Sequence, residues 1–376
     1  MEALVIGGTG PTGPHVVEGL LRRGYRVTVL HSGRHEVPLP DCVPHIHADV
    51  HFRETLVAAL GDRTFDLVVA MYGRLKLTAD VMAGRTPRLV SIGGGQAATL
   101  EPTVWGAGGR CISAPPPWLG RPRRAWDHFY AMMHEAEQAV MAHHAAGDYV
   151  ATHLRFPPIY GPRQLADTDW SIVRRILDGR RQFIIADHGL KLETRAYAEN
   201  AAHATLLAVD RPAASAGRVY NVGDAQVLTM FERVALIAAA LDHRWEVVSL
   251  PYELAKPFHP VGRGRTHQVL DCRPIADELG YRDVVPAEEA VPAAARWLAA
   301  HPPERGGELE RQLNDPFDYA GESAMIAAWT HAKQAMQAVP FPDYVVAHPY
   351  RHPTRPDEPW QPPSRPVGSR AKSGDS

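Results

Sequence analysis

The first residues of this chain constrain its fold more than any other segment. Residues 3–6 (ALVI) are a short apolar run, and a glycine-rich segment, GGTGPTG at residues 7–13, follows it directly. An amphipathic stretch then covers residues 15–23 and ends at Gly24, before a second apolar run at residues 27–30 (VTVL). This order predicts a strand, a tight turn, a helix and a second strand, which together form a βαβ unit with parallel strands.

The glycines of this turn stand where a phosphate-binding loop needs them. Gly7 permits a tight bend out of the strand, Gly10 lets the backbone approach a pyrophosphate, and Gly13 lets the helix pack closely on the sheet. Backbone N–H groups at the start of the helix, together with the helix dipole, favour negatively charged phosphates. The turn therefore predicts a dinucleotide site, which also includes Thr9, Pro11 and Thr12.

The spacing Gly7-x-x-Gly10-x-x-Gly13 resembles that of the short-chain dehydrogenase/reductase superfamily, and especially its extended branch, the NAD-dependent epimerase/dehydratase family. Four later segments resemble landmarks of that branch and occur in the same order. They are RFPPIYGPR at 155–163, RAYAENAA at 195–202, YNVG at 220–223 and DCRPIADELGY at 271–281. The resemblance covers roughly residues 1–300. It implies an α/β fold with a doubly wound, parallel Rossmann sheet and a smaller C-terminal substrate domain.

The resemblance and the pattern of apolar runs together predict four regions. Residues 1–163 form the NAD(P)-binding Rossmann domain, to which some later strands return, and residues 164–300 form most of the substrate domain. Residues 301–338 are a helical extension outside the resemblance. Residues 339–376 are rich in proline and charge, with little apolar material to bury, which predicts an extended or disordered tail or one that wraps a neighbouring subunit.

The residues after the second strand are expected to select the cofactor. An acid there would bind the ribose hydroxyls of NAD, whereas a cation would accommodate the 2′-phosphate of NADP. The chain reads HSGR at residues 31–34, so Ser32 and Arg34 favour NADP(H), with NAD(H) as the alternative. By the resemblance, Asp49 and Val50 would contact the adenine edge. The predicted cofactor site is completed by His31, Met71, Tyr72 and Pro157.

The catalytic pattern of the family is altered in this chain. The family uses a Tyr as general acid/base, a Lys four residues later that lowers the pKa of the phenol, and a Ser or Thr that polarises the substrate oxygen. A phenol titrates at about pH 10, so it needs a nearby cation to exchange protons around neutrality, and i, i+4 spacing on a helix supplies one. Here Tyr130 occupies the Tyr position, but His134 replaces the Lys. The Ser position falls between Ser91, which comes slightly early, and Gln96.

Three interpretations of this altered pattern remain open. In the first, a protonated His134 replaces the Lys, and Gln96 or the backbone amides of residues 93–95 hold the developing oxyanion. In the second, Tyr130 only binds and another side chain donates the proton, as in the progesterone 5β-reductase/iridoid synthase-like enzymes, which segment 129–130 resembles. The candidate donors are then His128, Tyr72 and Lys76. In the third, the fold has lost redox chemistry and serves as a ligand sensor or a binding protein.

Composition argues against several other classes of protein. The 376 residues carry 40 Lys plus Arg and 42 Asp plus Glu, without a basic stripe, so no nucleic-acid partner is expected. No apolar run approaches the roughly 20 residues that span a bilayer, and three widely spaced cysteines are typical of a cytoplasmic protein without a disulfide framework. His45, His47 and His51 have a spacing that a metal could use, but His45 and His47 share one face of a predicted strand beside the adenine loop, so no metal site is predicted.

The sequence thus predicts an NAD(P)-dependent oxidoreductase or epimerase-type enzyme that transfers hydride at a carbonyl, alcohol or enone of a small molecule. Its expected partners are that substrate and, by the resemblance, a second copy of the chain packed through helices predicted at residues 75–83 and 126–144. The alternative is a catalytically degenerate NAD(P)-binding protein that acts as a sensor or scaffold.

Overall fold

The computed structural model describes residues 1–34, 36–71, 74–94, 127–164, 168–258, 267–340 and 355–357, and only the backbone of Asp127 and Tyr130. The strands in these ranges are β1 Glu2–Ile6, β2 Arg26–His31, β3 His45–His47, β4 Leu67–Met71, β5 Arg88–Gly94, β6 Val150–Phe156, β7 Ile159–Tyr160, β8 Gln182–Ala186, β9 Ala196–Tyr197, β10 Arg218–Asn221 and β11 Glu246–Leu250. The helices are α1 Gly13–Arg22, α2 Arg53–Leu60, α3 Leu75–Met82, α4 Asp127–Ala146, α5 Asp169–Leu177, α6 Ala198–Asp210, α7 Pro212–Ser215, α8 Met230–Ala240, α9 Tyr252–Ala255, α10 Arg273–Leu279, α11 Ala287–Ala300, α12 Glu308–Leu313 and α13 Tyr319–Gln337.

A seven-stranded sheet in the order β10-β6-β5-β4-β1-β2-β3 organises the described residues. All neighbouring strands in it run parallel. Val5 of β1 pairs with Val29 of β2 on one side and with Val69 of β4 on the other, so the strand order reverses at β1. This arrangement confirms the predicted α/β fold with a doubly wound parallel sheet. Ligands of such sheets bind outside the carboxyl ends of the strands at the reversal point.

Both faces of this sheet are buried, which explains why its central strands read as unbroken apolar runs. Alternate residues of β1 contribute to opposite sides: Ala3 and Val5 belong to one core cluster, and Leu4 and Ile6 to the other. The first cluster also contains side chains of α1 and α6, and the second contains side chains of α2 and α3. The carboxyl edge of the sheet is therefore positioned from both sides by packed helices.

A smaller layer follows the sheet in the chain. β8 and β11 form a parallel pair, and α5, α8 and α11 share a separate apolar core that contains Trp170, Phe183 and Val234. Residues beyond 300 also join this layer, because Glu310 of α12 accepts a hydrogen bond from Trp170 Nε1 at 2.9 Å.

The chain divides into two compact units, Met1–Phe317 and Asp318–Ser376. In the second unit, α13 begins after Asp318, whose side chain accepts a hydrogen bond from the Gly321 amide. Among the described residues, no helix has the length and apolar content needed to cross a bilayer. The region boundaries predicted from sequence at residues 163 and 300 stay predictions.

Candidate functional site

The glycine turn connects β1 to α1 at the carboxyl edge of the sheet. The Gly7 amide donates to the Leu30 carbonyl at 2.8 Å, which ties the turn to β2. Gly7 has a φ of 86°, and a Cβ on it would lie 2.4 Å from the Met71 carbonyl oxygen, so the predicted tight bend requires glycine here. A Cβ on Gly13 would lie 2.0 Å from the Gly8 carbonyl oxygen. Gly13 therefore lets the first residue of α1 lie against the backbone that follows β1.

Gly10 differs from the other glycines of the turn because its surroundings are open. No described atom lies within 4 Å of the position that a Cβ on Gly10 would take, and its φ lies outside the left-handed region. Nothing within the described protein therefore requires glycine at this position. An open backbone segment at the start of a helix is what a phosphate group needs in order to approach closely.

The parallel strands bring most of the predicted cofactor residues to one edge of the sheet. Gly7, Thr9, Gly10, Pro11, Thr12 and Gly13 follow β1, and His31, Ser32 and Arg34 lie at or after the end of β2. Asp49 and Val50 follow β3, Met71 ends β4, and Pro157 follows β6. Tyr72 lies outside the described residues.

A cavity of about 430 Å³ opens at this edge, within the first compact unit. Thr9, Arg34 and Glu36 line it together with residues of α5, α11 and α12. Among the predicted cofactor residues, Thr9 and Arg34 thus meet at one cavity. The lining beyond the sheet includes Arg163, Gln164, Trp170, Trp297, Leu298, His301 and Leu313.

Glu36 is an acid near the end of β2 that sequence reasoning missed. Its carboxylate lies 4.0 Å from Nε2 of His31, the last residue of β2, and 3.3 Å from Nε2 of His47, the last residue of β3. The sequence prediction looked for an acid immediately after the strand, whereas the loop returns Glu36 to the strand end from further along. Arg34 and Glu36 therefore place opposite charges beside the same cavity.

The Asp49 carboxylate is engaged by its own loop. It accepts hydrogen bonds from the His51 amide at 2.9 Å and from the His51 ring at 2.6 Å. The backbone hydrogen bond, followed by the ring hydrogen bond, lowers the pKa of Asp49 below its ordinary value. His51 therefore pairs with Asp49. It does not join His45 and His47 in a common metal site, which was the arrangement considered from the spacing of the three histidines.

Ser91 does not reach the open edge of the sheet. It is fully buried in β5, and its Oγ lies 2.8 Å from Nδ1 of His153 on the neighbouring β6. His153 Nε2 lies 3.5 Å from Glu137, which in turn receives two hydrogen bonds from Arg155 at 2.6 and 2.7 Å. The hydroxyl thus faces a buried polar network, which argues against the catalytic role predicted for Ser91.

Arg155 fixes the charge state of that network. Burial alone would raise the pKa of Glu137, but the hydrogen bonds from Arg155 and the positive charge around it outweigh burial, so the pKa lies below its ordinary value. Arg155 therefore binds Glu137 and ties β6 to α4.

The predicted catalytic helix lies against the end of β5. Tyr130 and His134 are one turn apart on α4, and His134 is half-buried. A Cβ on Gly94 would lie 2.3 Å from Met133 Sδ, so α4 passes directly over the last residue of β5. Gln96 and the Tyr130 side chain lie outside what the structure describes. The alternative proton donors His128 and Lys76 are exposed on α4 and α3.

A protein-family model matches part of this chain. The model of the NAD dependent epimerase/dehydratase family matches residues 127–223, which include α4 and β10. No curated protein sequence matches the chain.

Solved structures of epimerases and dehydratases share the fold. A UDP-galactose 4-epimerase has a TM-score of 0.61 at 15% identity, covering 80% of this chain and 99% of its own. The UDP-glucose 4-epimerase of Thermus thermophilus, in complex with NAD, has a TM-score of 0.58 at 21% identity, covering 79% and 98%. The dTDP-glucose 4,6-dehydratase of Bacillus anthracis str. Ames, in complex with NAD, has a TM-score of 0.61 at 15% identity, covering 80% and 97%. At these identities, the likeness establishes the Rossmann-like fold.

Proposed function

We propose that the chain is an NAD(P)-dependent enzyme of the epimerase/dehydratase type, which transfers hydride at a carbonyl, alcohol or activated alkene of a small molecule. The observation that carries this proposal is the open face of Gly10, at the strand-order reversal and beside a cavity of about 430 Å³. The family match over residues 127–223 and the NAD complexes among the similar structures support it.

The residues around the glycine turn would hold the dinucleotide. Its pyrophosphate would lie over Gly10, against the amino end of α1, where the helix dipole favours negative charge. Its adenosine end would point towards β2 and β3, where Arg34 lines the cavity. We propose that NADP(H) is preferred, because the Arg34 guanidinium suits a 2′-phosphate. Glu36 would instead suit the two ribose hydroxyls of NAD(H), so these two side chains favour opposite cofactors.

Tyr130 and His134 would move the proton that accompanies hydride transfer. The bound nicotinamide would supply or accept the hydride, and Tyr130 would donate or accept the proton at the substrate oxygen. His134, one turn further along α4, would favour the phenolate when its ring is protonated. Because Ser91 is buried, backbone amides at the end of β5 are the better candidates for holding the developing oxyanion.

A cofactor titration of the Gly10→Ala variant tests the proposal. The wild-type full chain is titrated with NADPH and NADH while cofactor fluorescence is followed, and the thermal midpoint is recorded for each protein. A Cβ at Gly10 meets open space, so the midpoint should stay unchanged, whereas the pyrophosphate can no longer approach. We expect a loss of affinity of about 100-fold, or roughly 2.7 kcal/mol.

Two results would contradict this reasoning. The first is a folded wild-type protein that binds neither cofactor, and the second is a Gly10→Ala variant that binds as tightly as the wild type. Binding without turnover on a panel of ketones, aldehydes, alcohols and enones would instead indicate the non-catalytic alternative, a dinucleotide sensor.

A further inference from the structure

Three imidazole rings and one carboxylate converge at the ends of β2 and β3. His31 Nε2 lies 2.9 Å from His45 Nδ1 and 4.0 Å from the Glu36 carboxylate. The same carboxylate lies 3.9 Å from His45 Nδ1 and 3.3 Å from His47 Nε2. One nitrogen or oxygen from each of the four side chains falls within 4.8 Å of all the others.

Strand pairing explains why these side chains meet. His45 and His47 are two residues apart on β3, so their side chains share one face of the sheet. The parallel register pairs His31 with His47, which brings the last side chain of β2 alongside both of them. The loop from β2 to β3 then returns Glu36 over the three rings. The contacts thus join positions 31, 36, 45 and 47, a spacing that no short metal-binding motif would reveal.

The nitrogen and oxygen atoms of the four side chains lie nearly as far apart as they would around a bound metal ion. Zinc held by imidazole nitrogen and carboxylate oxygen at about 2.0–2.1 Å in a tetrahedron separates its ligands by about 3.3 Å. The four separations given above, from 2.9 to 4.0 Å, bracket that value, and every pair of ligand atoms lies within 4.8 Å. Imidazole and carboxylate ligands together are also the set that borderline divalent ions, zinc above all, select in proteins.

The cluster combines a buried floor with an accessible opening. His31 is buried, with 3% of its side chain exposed, whereas His47 and Glu36 expose 59% and 55%. An ion can therefore enter from solvent and still contact a ligand that the core holds in place. The two exposed ligands can be replaced without disturbing the packed sheet.

The rings of His31 and His45 form a hydrogen-bonded pair. The Gly33 amide donates to His31 Nδ1 at 3.2 Å, which places the ring proton on Nε2, facing His45. Coordination through His31 Nε2 would move that proton to Nδ1 and turn the Gly33 amide away. Gly33, with a φ of 76°, lies in an exposed loop segment that can make this adjustment.

We propose that His31, Glu36, His45 and His47 form a zinc-binding site at the carboxyl ends of β2 and β3. The site is separate from the proposed proton-transfer residues on α4, and its four ligands would hold an ion without a bound dinucleotide. Its four protein ligands complete a tetrahedron, so the ion would hold the loop from β2 to β3 against the sheet and would not be expected to act on a substrate.

Metal titration of the full chain, purified without a polyhistidine tag and stripped with a chelator, tests the site. Zinc binding is measured by calorimetry, and cobalt(II) is used as a spectroscopic substitute because four-coordinate cobalt absorbs strongly in the visible range. We expect one equivalent of zinc and a tetrahedral cobalt spectrum. Glu36→Gln and His47→Ala should each weaken zinc binding by about 100-fold or more, since loss of an outer partner alone costs roughly 10- to 100-fold.

His51→Ala is the matched control, because His51 is a nearby histidine that pairs with Asp49 outside the cluster. This variant should bind zinc as the wild type does. Gly10→Ala should also keep zinc binding, although it is expected to lose cofactor binding, so the two proposals can fail independently. Thermal midpoints without metal establish that each variant is folded. The zinc site is refuted if the wild type binds no stoichiometric zinc, or if Glu36→Gln and His47→Ala both keep wild-type affinity.

Discussion

The buried imidazole of His153 should make the stability of this protein fall as the pH drops below neutrality. His153 exposes 1% of its surface, with Ser91 at one ring nitrogen and Glu137 at 3.5 Å from the other. Burial lowers the pKa of His153 from 6.5 to about 4, so the ring is neutral in the folded protein near neutral pH. We therefore expect protonation of the unfolded chain to favour unfolding in mildly acidic solution.

The magnitude follows from the two pKa values. In the unfolded chain His153 takes up a proton as the pH falls through 6.5, whereas the folded protein does so only at about 4. Stability is therefore fully present above the unfolded value and is lost as the pH falls from there towards the folded value. The difference amounts to about 3 kcal/mol in total, of which about 2 kcal/mol is lost between about pH 7 and about pH 5.

Urea unfolding of the wild type and of His153→Gln across this pH range measures the effect. Glutamine does not titrate, and its amide can still donate towards Glu137. We expect the wild type to lose about 2 kcal/mol more than the variant between the two pH values, whatever the variant's stability at neutral pH. Parallel pH profiles for the two proteins would refute the reasoning.

His143 supplies a control of opposite sign. Its ring nitrogens lie 2.9 Å from Asp80 and 2.6 Å from Asp148, and the hydrogen bonds to these carboxylates raise its pKa. A raised pKa contributes stability that is present below the unfolded value and is lost as the pH rises through the folded value. His143→Gln should therefore steepen the acid-induced loss, whereas His153→Gln should flatten it.

Three further predictions concern cofactor choice, proton transfer and the buried ion pair. Arg34→Ala should weaken NADPH binding by about 10- to 100-fold and leave NADH binding nearly unchanged, as measured by fluorescence titration, and equal losses for both cofactors would contradict the proposed phosphate contact. Tyr130→Phe should abolish turnover of any accepted substrate while cofactor affinity is kept, so near wild-type turnover would rule out its role as proton donor. Arg155→Leu should lower the free energy of unfolding by about 3–5 kcal/mol, because it removes the guanidinium that pairs with the buried Glu137, and a Glu137→Leu/Arg155→Leu double variant should recover most of that loss in urea unfolding.

Local sequence patterns were sufficient to predict most elements of the sheet layer. The strand predicted at residues 3–6 is β1 with one additional residue, and the strand predicted at residues 27–30 is β2 with one additional residue at each end. The pattern of apolar residues in each of these elements depends only on which of its faces are buried. The glycine turn was predicted for the same reason, since the positive φ of Gly7 is a property of its own backbone, although the distant Met71 carbonyl also leaves no room for a side chain there.

The parts of the site that depend on distant contacts could not be predicted in the same way. Ser91 was assigned because it lies near the end of the apolar run at residues 88–92, but its orientation depends on His153, which is on the neighbouring strand. Glu36 was passed over because it does not directly follow β2, and only the path of the loop returns it to the strand end. The metal cluster was not predicted because the spacing of the histidines does not show which other side chains reach them, whereas the fold brings Glu36 within reach of both His45 and His47.

Glu36 links the two proposed sites, and this link can be measured. Its carboxylate lines the cavity beside Arg34 and also faces the three histidines. An ion bound there would neutralise the acid and leave Arg34 as the charge that a 2′-phosphate meets. Zinc should therefore raise the affinity for NADPH more than that for NADH, and thermodynamic linkage requires NADPH to raise zinc affinity by the same factor. Titration of each ligand with and without saturating amounts of the other checks both factors. If the two ligands bind without influencing each other, Glu36 does not act on the cofactor site, and cofactor choice rests on Arg34 alone.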